Sequence, residues 1–164
     1  MSLSGPALIE LMTAVLENGS SFRFLAKGFS MTPFIKDGDV VTISSFLGRK
    51  VRMGEVVAFI SPQTQSLAVH RIIGKRKARF LLQGDNVPEA DGLVPEEQIL
   101  GYVERVERQG RIVNLGLGPE RRVIAFLNRK GWLLHVRYVL WSLLKPLRRI
   151  VRRRSDRDLS NKEK

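Results

Sequence analysis

Residues 6–17 (PALIELMTAVLE) set Leu8, Leu11, Met12, Val15 and Leu16 on one helical face, and Asn18-Gly19 supplies a stop. From residue 22 the pattern changes to short apolar runs broken by Gly, Pro and Asp. The runs 22–26, 40–44, 55–60, 67–73, 78–83, 99–108 and 111–115 read as strands. Turn signals separate them: Asp37-Gly38-Asp39, Met53-Gly54, Ser61-Pro62, Gly74-Lys75, Gly84-Asp85 and Gln109-Gly110. Many short strands at this pitch predict a mainly β fold, a small, curved, barrel-like domain behind a short N-terminal helix. After Gly118-Pro119 the alternation stops. Trp132, Leu133, Val136, Val139, Leu140, Leu143, Leu144, Leu147, Ile150 and Val151 follow an i, i+3, i+4, i+7 series, with Arg137, Lys145, Arg148, Arg149 and Arg152 largely off the stripe. This predicts a C-terminal amphipathic, basic helical extension, kinked or restarted at Pro146. The expected organisation is a helix in 1–21, a β domain in 22–118, a helical region in 119–155 and a disordered tail in 156–164.

Charge alters this picture at one end only. Residues 1–120 hold 14 Lys/Arg against 13 Asp/Glu, whereas residues 121–164 hold 14 against 3. A neutral body with a cationic end implies an anionic partner: phospholipid headgroups, nucleic acid or an acidic protein. Trp132, Tyr138 and Trp141 flank the apolar stripe, the pattern of a helix lying in a membrane interface, so residues 132–154 are expected to meet an anionic membrane surface. Nucleic acid is disfavoured, because no aromatic platform or recognition motif accompanies 148–154. The run 132–144 is short for a span and is interrupted by His135 and Arg137. The apolar stretch 6–16 is interrupted by Glu10 and lacks a basic region before it, unlike a signal peptide or anchor. The expected location is therefore cytoplasmic and peripheral at the inner membrane face. With no cysteine and two histidines, no metal site and no cofactor are expected. No motif speaks to oligomeric state.

Candidate chemistry is concentrated in three segments: Gly28-Phe29-Ser30-Met31-Thr32-Pro33, Val69-His70-Arg71-Ile72-Ile73-Gly74 and Gly84-Asp85-Asn86. They hold a hydroxyl, an imidazole and a carboxylate, the groups serine hydrolysis needs. Ser30 falls between a strand and a region of turn formers, where a nucleophile can be exposed beside free backbone N–H groups. Gly28 permits an unusual backbone angle before it, and Pro33 fixes the chain after it. Gly-x-Ser alone is an ordinary turn. Joined to Met31, Pro33 and Gly38-Asp39 it resembles the nucleophile box of type I signal peptidases, within the superfamily they share with self-cleaving LexA-type repressors. The likeness covers roughly residues 22–118.

The resemblance implies a serine endopeptidase that processes an extended peptide or protein precursor, with Ser30 as nucleophile and His70 as general base. Bacterial signal peptidases and LexA-like proteins place a lysine at the base position, which burial must neutralise. The histidine-type enzymes place His followed by Arg, as in Val-His-Arg-Ile-Ile-Gly here. An imidazole of ordinary pKa, about 6.5, accepts a proton near neutrality with little adjustment. Lys75 and Lys77 fall in a polar turn. Asp85 or Asp91 would orient His70, with analogy to the histidine-type enzymes favouring Asp91. Gly28 stands where many signal peptidases carry a second hydroxyl, so the oxyanion would rest mainly on backbone amides, the N–H of Ser30 first. Phe29 and Ile35, with Gly28, Met31 and Pro33 around them, are expected to shape the substrate site, flanked by strands 22–27 and 56–60. Two other functions compete. A LexA-like self-cleaving regulator is opposed by the 29 residues before Ser30 and by the lack of an Ala-Gly or Cys-Gly pair. A non-catalytic peptide-binding relative is opposed by the intact Ser30, His70, Asp85 and Asp91.

Overall fold

Most of the strands bury one or both faces and satisfy their backbone on their neighbours, so the alternating runs assemble into antiparallel pairs. The structure is a computed structural model and describes residues 5–133 and 135. Helix α1 (Gly5–Glu17) precedes β1 (Phe22–Leu25), β2 (Val40–Ser44), β3 (Val56–Ile60), β4 (Leu67–Arg76) and β5 (Arg79–Gln83). Then come β6 (Gly92–Pro95), a 3-10 turn (Glu96–Gln98), β7 (Ile99–Arg108), β8 (Arg111–Ile112) and α2 (Arg121–Arg129). The strands form one eight-stranded sheet in the order β1-β2-β7-β3-β4-β5-β6, with β8 paired to β7. All pairings are antiparallel. β1 and β6 end the path, so the domain is mainly β and curved but its sheet is not closed.

Register shifts at Thr42/Ile43, Ala58/Phe59 and Ile72/Gly74 bend the sheet. The bent sheet covers two cores. Met12 and Leu16 of α1 join Met31, Ile35, Val41, Ile43, Val56, Ala58, Val103 and Val106 in one. Val57, Phe59, Ile72, Phe80, Leu82, Val94 and Ile99 make the other. Strand β3 contributes alternate residues to each, which is why it reads as a continuous apolar run. A third cluster, Phe34, Ile124 and Leu133, seats α2.

Several boundaries differ from expectation. The strand expected at 67–73 runs on to Arg76, and Gly74-Lys75 lies inside it rather than in a turn. The bulge before Gly74 shifts the register, and the reversal falls at Lys77, whose φ is +54°. β6 was not expected, because Gly92-Leu93-Val94-Pro95 is short and bounded by turn formers. Only Arg111–Ile112 of the 111–115 run pairs as a strand. A helix already forms at Arg121–Arg129, ahead of the stripe that begins at Trp132. The rest of that stripe from Val136, with Tyr138, Trp141, Pro146 and the tail 156–164, lies outside the described residues. Among the described residues no helix is long and apolar enough to cross a membrane.

The connection between β1 and β2, which carries Ser30, is pinched at its neck. Ala26 N–H donates to the Asp39 carbonyl at 2.8 Å, and Gly38 N–H to the Ala26 carbonyl at 2.9 Å. Asp39 is buried and receives Arg108 Nε at 2.8 Å, Arg108 Nη2 at 2.7 Å and Lys36 N–H at 2.7 Å. Burial opposes the charged Asp39 carboxylate, but the Arg108 guanidinium and the Lys36 N–H outweigh it and hold its carboxyl below the usual carboxylate range. The same pair holds Arg108 above its ordinary value, against its own desolvation. Because the folded pKa of Asp39 is depressed, its stabilisation is complete above the unfolded carboxylate value, about 4, and is lost as pH falls through the lowered folded value. Asp39→Asn is expected to cost about 2 kcal/mol at pH 7, since it takes from Arg108 its carboxylate partner at a partly exposed site and leaves it the Phe34 carbonyl. In urea unfolding the gap from wild type should narrow as pH drops from 5 towards 2. A gap of constant size on acidification would refute the ion-pair account.

Candidate active site

Ser30 sits in a turn at the start of the segment that Met31 and Ile35 anchor. The two side chains are buried in the α1-side core, 5% and 4% exposed, and the amides of Phe34 and Ile35 both donate to the Met31 carbonyl at 3.1 Å. Gly28 has φ +92°, where a side chain would strain the backbone although no atom lies within 4 Å of its Cβ position. Its N–H donates to Asp37 Oδ1 at 2.8 Å. The Thr32–Pro33 peptide is cis.

His70 stands on β4, which presents successive side chains to opposite faces. Its Nε2 lies 3.1 Å from Ser30 Oγ, and its Nδ1 lies 2.6 Å from Asp91 Oδ2. The Phe59 ring, 5.8 Å away by centroids, covers one side of the imidazole. Both His70 and Asp91 are mostly shielded, with side chains 13% and 18% exposed. Asp91 closes the loop between β5 and β6. Its N–H donates to the Leu82 carbonyl at 2.9 Å, its carbonyl accepts Gln63 Nε2, and Gln83 Nε2 holds the loop at the Val87 and Pro88 carbonyls. An Nδ1–H donated to Asp91 leaves Nε2 with a lone pair facing the Ser30 hydroxyl. A hydroxyl, an imidazole and a carboxylate in this order can move a proton away from an attacking oxygen.

Asp85, the other acid considered for His70, faces Arg71 instead. Arg71 Nε reaches Asp85 Oδ1 at 2.8 Å and Nη2 reaches Oδ2 at 2.6 Å, with both side chains fully buried. Arg71 Nη1 donates to the carbonyls of Gly54 at 2.9 Å and Gly116 at 2.8 Å. Asn128 of α2 approaches the Gly84 carbonyl and Asp85 Oδ1, each at 3.3 Å. The loop at Gly116 is fixed from its other side by Glu120, whose own backbone N–H and that of Gly116 hold its carboxyl below the usual range.

The residues flanking Asp85 touch the serine loop. Asn86 N–H donates to the Ser30 carbonyl at 2.7 Å, and Asn86 Nδ2 to the Phe29 carbonyl at 3.1 Å. Gly84 leaves no room: a Cβ there would stand 2.7 Å from the Ser30 carbonyl oxygen and 3.1 Å from His70 Nε2. The structural weight of Arg71, Gly84, Asn86 and Asn128 was not anticipated from sequence. An arginine among Val69, Ile72 and Ile73 was the available clue, since a buried guanidinium demands an acid.

Of the residues expected to shape a substrate site, Phe29 is 69% exposed beside Ser30, and Pro33 is half-buried. Met31 and Ile35 instead pack into the core beneath Ser30, as apolar side chains on the inner side of the turn must. Strand 56–60 is paired along both edges, to β4 and β7, and offers no free wall. Lys75 and Lys77 are exposed at the far end of β4. Among the described residues no group of three or more His, Cys, Asp or Glu is placed to hold a metal ion.

The sequence model of the Peptidase S24-like family matches residues 6–113, well over half of the chain. No curated protein matches it. The two acids of the β5–β6 loop should respond differently to truncation. Asp85→Ala strands a buried guanidinium and is expected to cost about 3–5 kcal/mol in urea unfolding. Asp91→Ala, at a partly exposed pair, is expected to cost no more than about 2 kcal/mol. Equal losses would contradict this division of roles.

Proposed function

The chain belongs to the Peptidase S24-like family, whose general class is the serine-peptidase-type hydrolase, and we propose that it is a serine endopeptidase of signal-peptidase type with a histidine general base. The observation that carries this reading is the unbroken run from Ser30 Oγ through His70 Nε2 and Nδ1 to Asp91 Oδ2, at 3.1 and 2.6 Å. In this mechanism Ser30 Oγ attacks the scissile carbonyl while His70 Nε2 takes its proton. Asp91 holds the tautomer and stabilises the imidazolium. The oxyanion faces the backbone N–H of Ser30, since the Gly28 amide is engaged by Asp37. His70 then protonates the leaving amine, and a water activated by the same imidazole releases the acyl group.

The strand edges beside this run support an extended peptide or protein precursor as the substrate. Among the described residues β1 pairs only with β2, and β5 meets β4 only from Arg71 onward. The edge of β4 at residues 67–70 opposite β3 therefore has no strand partner among the described residues. Phe22, Phe24, Ala26, Leu67 and Val69 all lie against the same core. An extended precursor segment would pair its backbone with such an edge and present its carbonyl to Ser30.

A fluorophosphonate probe tests the chemistry without a known substrate. Wild type should be labelled on the peptide containing Ser30, and Ser30→Ala should not be labelled. His70→Ala should slow labelling by at least about a thousandfold with the fold retained by circular dichroism. Labelling that persists in Ser30→Ala would end the assignment. Specific internal scission of the purified protein at raised pH, with no cleavage of added extended peptides, would favour the self-cleaving reading instead.

A further inference from the structure

Away from Ser30, one surface combines exposed basic charge with exposed apolar side chains. Helix α2 buries Ile124, Ala125 and Asn128 and turns Arg122, Val123, Phe126, Arg129 and Lys130 outward. Val123 is 59% exposed, Phe126 56%, and Trp132, just past the helix end, 57%. Phe126, Arg129 and Lys130 share one face, being three and four residues apart. The Arg129 guanidinium comes within 3.8 Å of the Cβ position of Gly74. The next residues of β4 and its turn, Lys75, Arg76 and Lys77, are all exposed. Arg79 stands opposite Pro95, next to Glu96 and Glu97, and contributes less to the field.

We infer that the turn of the β4–β5 hairpin and the outward face of α2 form one docking surface for an anionic phospholipid bilayer. Charge selects this occupant. Residues 121–133 hold four basic side chains and no acidic one. Residues 134–164 hold 10 Lys/Arg against 3 Asp/Glu, so that segment, or the same face of a second copy, would meet this surface with like charge. Apolar character selects it further: Phe126, Val123 and Trp132 gain by entering the boundary between headgroups and acyl chains, which a nucleic-acid backbone does not offer. Basic side chains beside them meet the lipid phosphates.

Flotation of the full chain with phosphatidylcholine vesicles, with and without phosphatidylglycerol, tests this. Wild type should float only with the phosphatidylglycerol vesicles, and less at high salt. The triple variant Lys75→Gln, Arg76→Gln, Lys77→Asn should lose at least about tenfold in partition and show a shallower salt dependence. Phe126→Ser should lose about fivefold with the salt dependence unchanged. Circular dichroism melts confirm that each variant is folded. Wild-type binding by both variants would overturn the proposal by placing the lipid contact elsewhere in the chain. Retardation of duplex RNA without vesicle flotation would overturn it in favour of nucleic acid.

Discussion

Arg71 is a fully buried cation on the strand that carries His70, and the rest of the site depends on how its charge is met. Removing a guanidinium from water is costly unless its donors find acceptors in the planar directions it presents. Asp85 accepts two of those directions, and the Gly54 and Gly116 carbonyls accept the third nitrogen. The consequence is geometric. Arg71 neighbours His70, while Asp85 lies between Gly84, which packs on the Ser30 carbonyl and His70 Nε2, and Asn86, which hydrogen-bonds the Ser30 carbonyl. One ion pair therefore sets the height of the β5–β6 loop above β4. That loop in turn positions the serine turn on one side and Asp91 on the other.

This arrangement explains which features could be read from residue order. The β1–β5 and β7 runs announce themselves because apolar alternation and Gly or Asp turn formers agree at each of them. β6 does not, since four residues ending in Pro95 become a strand only through pairing with β5. The reversal after Arg76 is hidden for a related reason: Gly74-Lys75 has turn chemistry, but a bulge absorbs it and the ladder continues. The segments bearing Ser30 and His70, and the Gly84-Asp85-Asn86 segment with Asp91 after it, were legible as candidate chemistry through their likeness to a known family. Between Asp85 and Asp91 only analogy to the histidine-type enzymes favoured Asp91, because both lie in one loop and spacing alone favours neither. The choice is made by Arg71, whose demand for a buried carboxylate takes Asp85 and leaves Asp91 for the imidazole.

Met31 and Ile35 show a similar limit. Both stand in the nucleophile box, yet a turn that exposes Phe29 and leaves Ser30 half-buried has to bury something on its inner side, and the apolar side chains serve as that anchor. Proximity in sequence to a reactive group thus says little about which side of the backbone a residue occupies. The exposed Phe29 and the edge of β4 that has no strand partner among the described residues are the features an incoming chain, as proposed, would meet.

Helix α2 links the two functional readings physically. Its inward Asn128 contacts the Gly84 carbonyl and Asp85, one residue from the atoms that touch Ser30 and His70. Its outward face carries Phe126 and Arg129. A helix is about 10 Å across, so a bilayer resting on the outer face would lie roughly that far from the Gly84 loop. The seat of α2 on Phe34 and Leu133 is apolar and closely packed, with Ile124 7% exposed, and Gly54 admits no Cβ against the Arg121 carbonyl. Packing of that kind transmits position rather than absorbing it. A surface bound through α2 would therefore hold the serine turn at a defined height above the lipid, and the extended segments within reach would be those that emerge close to the headgroups.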